Sequence, residues 1–366
     1  MTSTSAPITV RSPGKLFIAG EYAVVTPGEP AVLVAVDRHL TVRLTESRGA
    51  GSVHSPEFGR TPLVWGRGAD GLTIDREHHP YEYVLSAITL AERLRGETGR
   101  PARFFDLRID SGLDDVSGRK FGLGSSAAVT VATLRAIDEF YGFGLDRIDV
   151  FRLALLATIS IAPNASGGDL AASAFGGWIG YRSPDRALLR SELDAGASVT
   201  ELLASAGWEP LAIERLRPPM DLRFLVGWTG EPASTERLVD AVRGGSGAMD
   251  YPAFLLNSRA CVTDLWDALG RGDDTATLES IRRARRLLQG LGRTAGVSIE
   301  TPLLSELCDT AEAFGAAGKS SGAGGGDCGI VLAPATADVA GLVRAWEDRD
   351  IRHLTIGVSP AEGGHP

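Results

Sequence analysis

The segment Lys120-Phe-Gly-Leu-Gly-Ser-Ser-Ala-Ala128 decides our interpretation of this chain, because it joins a glycine-rich turn to the start of a helix. The residues that follow, 125–141, carry apolar side chains at helical spacing and stop at Gly142. Glycines let a backbone approach an anion closely, and a helix N-terminus offers N–H groups and the positive end of the helix dipole. The segment therefore predicts a phosphate-binding turn, although an ordinary tight turn with a serine N-cap fits the same residues.

Three established fingerprints fail elsewhere in the chain. In residues 315–320, two residues separate the first glycine from the Gly-Lys-Ser sequence, whereas a Walker A motif has four residues there. A Rossmann fingerprint fails as well, because Asp327 stands where it needs glycine. Residues 318–322 match the hydrolase pattern G-x-S-x-G, but a helix is predicted before them and a strand after them. A nucleophile elbow needs the reverse order, so we treat that match as a coincidence.

Three further segments are candidates for the same site. Residues 319–329 are rich in glycine and run directly into an apolar strand, which favours a nest of backbone N–H groups over a solvated linker. Asp169 follows Ser166-Gly-Gly at a helix start, where its carboxylate either complements the helix dipole or faces a substrate hydroxyl. Lys15 lies at the start of an apolar strand, either as an edge gatekeeper or as a cation aimed into a cleft.

Lysine usage links these segments. The chain has 37 basic side chains, and only Lys15, Lys120 and Lys319 are lysines. Arginine replaces lysine poorly where a compact ammonium group is needed. All three lysines lie in glycine-rich segments, so we interpret them as markers of one site. Lys319 has the alternative role of capping the preceding helix.

Composition excludes several classes of protein. The formal net charge of −9 argues against a nucleic-acid binder, while a local cluster of donors can still bind an anionic small molecule. No stretch approaches the roughly 18 apolar residues of a membrane span, and residues 1–5 lack the pattern of a signal peptide. The cysteines Cys261, Cys308 and Cys328 are too scattered for a disulfide framework or a zinc site. We therefore expect a cytoplasmic protein with reduced thiols and with neither nucleic acid nor membrane as a partner.

The remaining pattern predicts mixed strands and helices. Strands are expected at residues 31–44, 103–110, 222–228, 329–333 and 354–358. Helices are expected at residues 81–95, 125–141, 147–159, 233–243, 253–270, 275–291 and 302–314. Without regular βαβ alternation, this order favours an α+β fold. The length of 366 residues suggests two domains, and the proline-flanked stretch 183–219 is the expected boundary.

The order of the glycine-rich motifs resembles the GHMP kinase superfamily, which includes galactokinase, homoserine kinase, mevalonate kinase and phosphomevalonate kinase. The motifs are Gly-Lys-Leu and Ala-Gly-Glu-Tyr within residues 14–22, Gly-Leu-Gly-Ser-Ser-Ala-Ala at 122–128 and Gly-Ala-Gly-Gly-Gly-Asp-Cys at 322–328. The details look most like bacterial phosphomevalonate kinases, with Glu21-Tyr22 where mevalonate kinases have Glu-His and with Lys120 two residues before Gly122. The sugar signature of galactokinase is missing.

The resemblance covers nearly the whole chain and implies a two-lobed α+β fold. The N-terminal lobe, residues 1–190, would resemble ribosomal protein S5, and the C-terminal lobe, residues 215–366, would be ferredoxin-like. The active site would lie in the cleft between them. The implied reaction is ATP-dependent phosphorylation of (R)-5-phosphomevalonate to 5-diphosphomevalonate in the mevalonate pathway of isoprenoid biosynthesis, with Mg²⁺ as cofactor. The alternatives are mevalonate kinase or another GHMP small-molecule kinase, and a catalytically silent ligand sensor on the same fold.

The resemblance also implies roles for individual residues. The ATP phosphates would lie against Gly122, Leu123, Gly124, Ser125, Ser126 and Ala127. The acceptor would contact Lys15, Tyr22, Ser166, Gly167, Ser320, Ser321 and Gly322. The catalytic residues would be Lys120, Asp169 and Lys15. Mevalonate kinases carry a glutamate upstream of this aspartate as a magnesium ligand, but residues 159–168 contain no acid. The expected protein ligand is therefore Ser126, with Asp169 as the alternative, and Trp65, Tyr81 and Tyr83 are candidates near the adenine.

Overall fold

The computed structural model describes residues 6–69, 71–76, 79–115, 118–231, 238, 242 and 251–361, and two β-sheets organise them. The larger sheet contains β1 (Ile8–Ala19), β2 (Pro30–Ser47), β3 (Gly51–His54), β4 (Leu63–Gly68), β5 (Gly71–Ile74), β6 (Phe104–Ser111), β7 (Trp178–Arg182) and β8 (Ala212–Leu216). Its order is β5-β4-β3-β6-β2-β7-β8, and β1 pairs with the long strand β2. The smaller sheet contains β9 (Leu222–Trp228), β10 (Ala317–Ser320), β11 (Cys328–Pro334) and β12 (Arg352–Leu354), in the order β10-β11-β9-β12.

The helices pack against these sheets and against one another. In chain order they are α1 (Glu82–Glu97), α2 (Ser125–Tyr141), α3 (Arg147–Ile159), α4 (Gly168–Phe175), α5 (Arg186–Asp194), α6 (Val199–Leu203), α7 (Tyr251–Arg271), α8 (Asp274–Ala295), α9 (Pro302–Ala313) and α10 (Val339–Glu347). Helices α2 and α4 contact β1 and β2, while α8 and α9 contact β10. None of the helices in the described ranges combines the length and apolar character that a membrane-spanning helix needs.

The α+β prediction is confirmed, and so are most of the predicted elements. Helix α2 begins at Ser125 and ends at Tyr141, where Gly142 adopts a left-handed conformation with φ 64°. Helix α3 begins after Asp146, whose side chain accepts a hydrogen bond from the backbone N–H of Asp149. These signals are local, which is why the sequence shows them. The helix predicted at 233–243 lies, apart from residues 238 and 242, outside the described residues.

Two expectations about local structure differ from what is observed. The stretch 183–219, within which the domain boundary is expected, is mostly regular structure: it forms α5, α6 and β8, and β8 pairs with β7 in the larger sheet. Residues 319 and 320, which belong to the glycine-rich segment 319–329 expected to form an irregular nest, lie instead in β10, because residues 317–320 pair with β11. The last predicted strand, 354–358, is shifted to Arg352–Leu354. The lobe ranges 1–190 and 215–366 stay a prediction, and residues 191–216 lie with the larger sheet.

Candidate active site

A cavity of about 700 Å³ is lined by segments that belong to both sheets. From the side of the larger sheet come part of β1, the turn before α2 and the start of α4. From the smaller sheet comes the glycine-rich loop that joins β10 to β11. The volume falls within the range of roughly 300–1,000 Å³ that is typical of small-molecule sites. Four segments that are far apart in the sequence therefore meet at one place.

The turn before α2 has the backbone geometry of an anion cradle. Gly122 and Gly124 have φ values of 77° and 82°, in the left-handed region that glycine adopts without strain. A Cβ on Gly122 would lie 2.7 Å from a carboxylate oxygen of Asp327, so a side chain would not fit there. Gly124 is the N-cap of α2 and supplies no capping side chain. The first N–H groups of α2 and the hydroxyls of Ser125 and Ser126 thus lie at the cavity.

The smaller sheet anchors this turn from behind. The buried thiol of Cys328 donates a hydrogen bond to the carbonyl oxygen of Phe121 over 3.0 Å. Burial raises the pKa of Cys328, which keeps the thiol protonated as a donor. The ring of Phe121 meets that of Trp228 edge to face, with 5.1 Å between centroids. Arg119 stacks over the same Trp228 ring, and the adjacent Lys120 is exposed at the cavity wall.

Lys15 and Asp169 lie on two other walls of the cavity. Lys15 points from β1 toward the glycine turn, where its Nζ donates to the carbonyl oxygen of Gly122 over 3.2 Å. Asp169 lies in the first turn of α4, and its carboxylate accepts from the backbone N–H of Leu170 over 3.0 Å. Within the described part of the chain, no ion pair joins Asp169 to Lys15. The carboxylate is thus positioned by the helix start rather than by the lysine.

A buried arginine holds the wall that precedes α4. The guanidinium group of Arg186 donates to the carbonyl oxygens of Asn164 and Ala165 over 3.0 and 2.8 Å, and also to that of Val25. The Tyr181 hydroxyl donates to the carbonyl oxygen of Ser166 over 2.6 Å. This wall is therefore fixed from the protein interior.

Tyr22 closes the cavity on the side of the smaller sheet. Its φ of 63° is unusual for a residue with a side chain, and its hydroxyl donates to the carbonyl oxygen of Ala323 over 2.5 Å. Burial and the neighbouring carboxylate of Glu21 raise the pKa of the Tyr22 phenol. The hydroxyl consequently stays protonated and keeps donating to Ala323 at neutral pH.

Most of the predicted site residues line this cavity. They are Lys15, Tyr22, Lys120, Gly122, Leu123, Gly124, Ser125, Ser126, Ala127, Ser166, Asp169 and Gly322. Gly167, Ser320 and Ser321 do not line it. Ser320 is buried at the end of β10, and the hydroxyl of Ser321 is engaged with the backbone N–H and carbonyl of Phe17. The loop between β10 and β11 therefore reaches the cavity through Gly322, Ala323 and Asp327 instead.

Of the three aromatic candidates for the adenine site, one lines the cavity and two do not. Tyr83 lines the cavity. Trp65 is fully buried in the core, and the Tyr81 hydroxyl accepts a hydrogen bond from the backbone N–H of Ser55. Neither Trp65 nor Tyr81 lies on the cavity wall.

Three charged residues of the cavity were not among the predicted site residues, although two of them lie in the quoted motifs: Glu21, Arg119 and Asp327. Asp327 has a left-handed φ of 51°, and its backbone N–H and carbonyl bond to Glu231 and Thr229 over 2.7 and 3.0 Å. This backbone holds its carboxylate against Gly122. The signal that would have found it is an acidic residue at the end of a run of three glycines.

Models of two protein-family domains match parts of this chain. The model of the GHMP kinases N terminal domain matches residues 82–177, and that of the GHMP kinases C terminal domain matches residues 268–351. The chain is 44% identical to the phosphomevalonate kinase of Streptomyces sp. (strain CL190), over the whole of both chains. It is 28% identical to the mevalonate kinase of Thermococcus gammatolerans, over 89% of each chain.

Two solved structures share this architecture. One is a Lin0012 protein from Listeria innocua, with a TM-score of 0.90 and 36% identity over 98% of this chain and 100% of that one. The other is the Streptococcus pneumoniae phosphomevalonate kinase in complex with phosphomevalonate and AMPPNP. It has a TM-score of 0.84 and 29% identity, over 96% of this chain and 99% of that one.

Proposed function

The chain belongs to the GHMP kinase family, and we propose that it transfers the γ-phosphoryl group of ATP to the phosphate of (R)-5-phosphomevalonate. The products are 5-diphosphomevalonate and ADP, and the reaction belongs to the mevalonate pathway of isoprenoid biosynthesis. The full-length identity of 44% to a phosphomevalonate kinase supports this substrate. The cysteines are buried free thiols, which suits a reducing compartment, and we propose a cytoplasmic location.

The observation that carries the proposal is the meeting of two anion-binding surfaces in one cavity. One surface is the glycine turn with the N-terminus of α2, which suits the phosphates of a nucleotide. The other holds Lys15, Tyr22 and Ser166, which suit a second, phosphorylated ligand. Because the whole chain carries a net charge of −9, binding two polyanions requires its cations to be concentrated at this place.

The acceptor needs little chemical activation. A phosphate monoester has its second pKa near 6, so its oxygen is already anionic at neutral pH. That oxygen attacks the γ-phosphorus, a new P–O bond forms, and the bond from the γ-phosphorus to the bridging oxygen of ADP breaks. No proton has to be removed from the acceptor. Catalysis then consists mainly of positioning and of neutralising charge.

These requirements assign the roles of the cavity residues. Gly122, Leu123, Gly124, Ser125, Ser126 and Ala127 hold the ATP phosphates. Lys120 stabilises the transferring phosphoryl group. Lys15, Tyr22, Ser166 and Gly322 bind the acceptor, and Asp169 orients it rather than acting as a strong base.

Magnesium fits the donors that face this cavity. The described residues contain no cluster of three or more His, Cys, Asp or Glu side chains that could hold a metal by themselves. Nucleotide magnesium is bound mainly by phosphates and water with one or two protein oxygen ligands, so such a cluster is not needed. Ser126 and the carboxylates of Asp169 and Asp327 are the candidate ligands. When bound, Mg²⁺ neutralises charge on the phosphates.

A substrate comparison tests the proposal. The purified protein is incubated with ATP, Mg²⁺ and either mevalonate or 5-phosphomevalonate, and ADP release is followed in a coupled assay. We expect turnover with 5-phosphomevalonate. Turnover with mevalonate alone would instead make the chain a mevalonate kinase, and no turnover with either would favour a ligand sensor.

A further inference from the structure

A buried ion pair joins the two sheets directly behind the acceptor side of the cavity. Lys319 on β10 pairs through its Nζ with the carboxylate of Glu21, which follows β1, and the two residues are 298 positions apart in sequence. Lys319 is completely buried and Glu21 is 4% exposed. The ammonium group also donates to the carbonyl oxygen of Ser320 over 2.6 Å. One of the three lysines of the chain is thus used inside the protein, away from solvent.

The segment that carries Glu21 and the segment that carries Lys319 are joined by hydrogen bonds at two further points. The Ser321 hydroxyl accepts from the Phe17 N–H over 2.8 Å and donates to the Phe17 carbonyl over 3.0 Å. One residue beyond Glu21, the Tyr22 hydroxyl bonds to the carbonyl oxygen of Ala323. The contacts therefore form a ladder that ends in Tyr22 and Ala323, both on the cavity wall.

Stability alone does not account for this pair. Removing two charges from water costs several kcal/mol for each ion, and well-packed apolar side chains are often as stabilising as a buried ion pair. What a charged pair adds is a defined geometry. Here it fixes the side chain of Glu21 next to Tyr22, whose left-handed backbone is itself unfavourable and must be held by its surroundings.

We propose that Lys319 and Glu21 are positioning residues, which hold Tyr22 and the loop at Gly322 and Ala323 in the arrangement that binds the acceptor. The inference rests on the proposed function, because it assigns this wall to 5-phosphomevalonate. The pair has a second effect. Glu21 is a carboxylate on the wall of a cavity for polyanions, and the ammonium group of Lys319 neutralises it from behind.

The test uses the double variant Glu21→Gln/Lys319→Met, which removes both charges and keeps the side-chain volumes similar. Because no unpaired charge is left buried, we expect it to fold and to melt close to the wild type. Its KM for 5-phosphomevalonate should rise about tenfold through misplacement of the wall, while its KM for ATP changes less than about twofold. A wild-type KM for 5-phosphomevalonate in this variant would overturn the proposal, since the pair would then be purely structural.

A second measurement shows whether the pair acts through Tyr22. Tyr22→Phe removes the hydrogen bond to Ala323 and should also raise the KM for 5-phosphomevalonate. Added to the double variant, it should cause less than about a twofold further rise, because coupled residues are not additive. Effects that multiply would show that the pair does not act through Tyr22. The control Glu92→Gln weakens an ion pair with Arg67 away from the cavity, and should lower the melting temperature without changing either KM.

Hydrogen exchange tests the pair without any substrate. The backbone N–H of Val24 bonds to the carbonyl oxygen of Gly20 over 3.0 Å, within the turn that Lys319 restrains through Glu21. Exchange at residues 20–25 should be faster in the double variant, and unchanged exchange there would overturn the proposal. If the wild type fails to phosphorylate 5-phosphomevalonate while exchange does increase, the proposed function fails and the positioning of Tyr22 stands.

Discussion

The side-chain amine of Lys15 donates a hydrogen bond to the carbonyl oxygen of Gly122 over 3.2 Å. The backbone N–H of Lys15 donates to the next residue of the same turn, at the carbonyl oxygen of Leu123, over 2.8 Å. The lysine assigned to the acceptor is thus bound at two points to the turn assigned to the ATP phosphates. The two halves of the cavity form one structural unit, so a change in the turn should also displace Lys15.

Gly124→Ala tests this connection. A Cβ at this position would lie 3.0 Å from Cε and 3.1 Å from Cγ of Lys15, and the left-handed backbone would cost about 1–2 kcal/mol. We expect lower stability, a higher KM for ATP and a lower kcat, because both the turn and Lys15 shift. Steady-state kinetics with each substrate varied, together with thermal unfolding, measure these effects.

Gly142→Ala is the matched control, because Gly142 is left-handed at the other end of the same helix. Its added Cβ would have a nearest neighbour only at 3.8 Å, the Nη1 of Arg100. The control should lose a similar amount of stability and keep wild-type kcat/KM. Equal kcat/KM values in the two variants would contradict the connection between Gly124 and the site.

Lys120→Ala should reduce kcat by about 10³-fold, as expected when a charge clamp on a transferring phosphoryl group is lost. Lys120 is exposed, so the melting temperature should change little. Single-turnover kinetics separate this loss of chemistry from slow product release. A variant with near-normal kcat would remove Lys120 from the catalytic residues.

Lys120→Arg tests why lysine is present at all in a chain whose other basic residues are almost all arginine. The guanidinium group keeps the charge but is planar and less compact than the ammonium group. We expect Lys120→Arg to recover only part of the activity that Lys120→Ala loses. Full activity in Lys120→Arg would mean that charge alone is required there.

The successful predictions of secondary structure rest on signals from residues that are close together in the sequence. Gly142 after α2 and Asp146 before α3 act on residues within one helical turn, so their effect can be seen in the sequence itself. The glycine turn at 122–124 and the start of α4 were found for the same reason. The meeting of these segments in one cavity was predicted from lysine usage and from a resemblance to a family, and not from periodicity.

The missed features depend on contacts between distant residues. Residues 317–320 form a strand because β11 lies beside them, and Ser321 is turned away from the cavity by Phe17, 304 positions earlier. Lys319 was expected either at the anion site or at a helix end, and it instead pairs with Glu21 inside the protein. Each of these outcomes depends on how the two sheets are placed, which local propensity does not encode.

Asp169→Asn should lower kcat without removing the acidic limb of the pH profile. The acceptor phosphate loses its second proton near pH 6, so the rate should rise through that pH in both the wild type and the variant. The expected loss in kcat is about 10- to 100-fold, from poorer orientation of the acceptor. The check is kcat from pH 5 to 8 with saturating substrates. If Asp169 were the general base, it would deprotonate the monoanionic acceptor, so the limb near pH 6 would be absent from the wild type and would appear only in the variant.

Asp327→Asn tests whether this carboxylate is a ligand of the nucleotide magnesium. Its oxygen lies against Gly122, so without a cation between them it would repel the phosphates that the turn is assigned to bind. In the wild type we expect ADP with Mg²⁺ to bind more tightly than ADP alone. In the variant, metal-free ADP should bind as well or better because a negative charge is gone, while Mg²⁺ should strengthen binding less. Calorimetric titration of each protein with ADP, in the presence and absence of Mg²⁺, measures both changes, which are expected to have opposite signs.

The control is Asp110→Asn, which removes the carboxylate of an exposed ion pair on β6 and should behave as the wild type does. An undiminished effect of Mg²⁺ in Asp327→Asn would leave Ser126 and Asp169 as the candidate ligands.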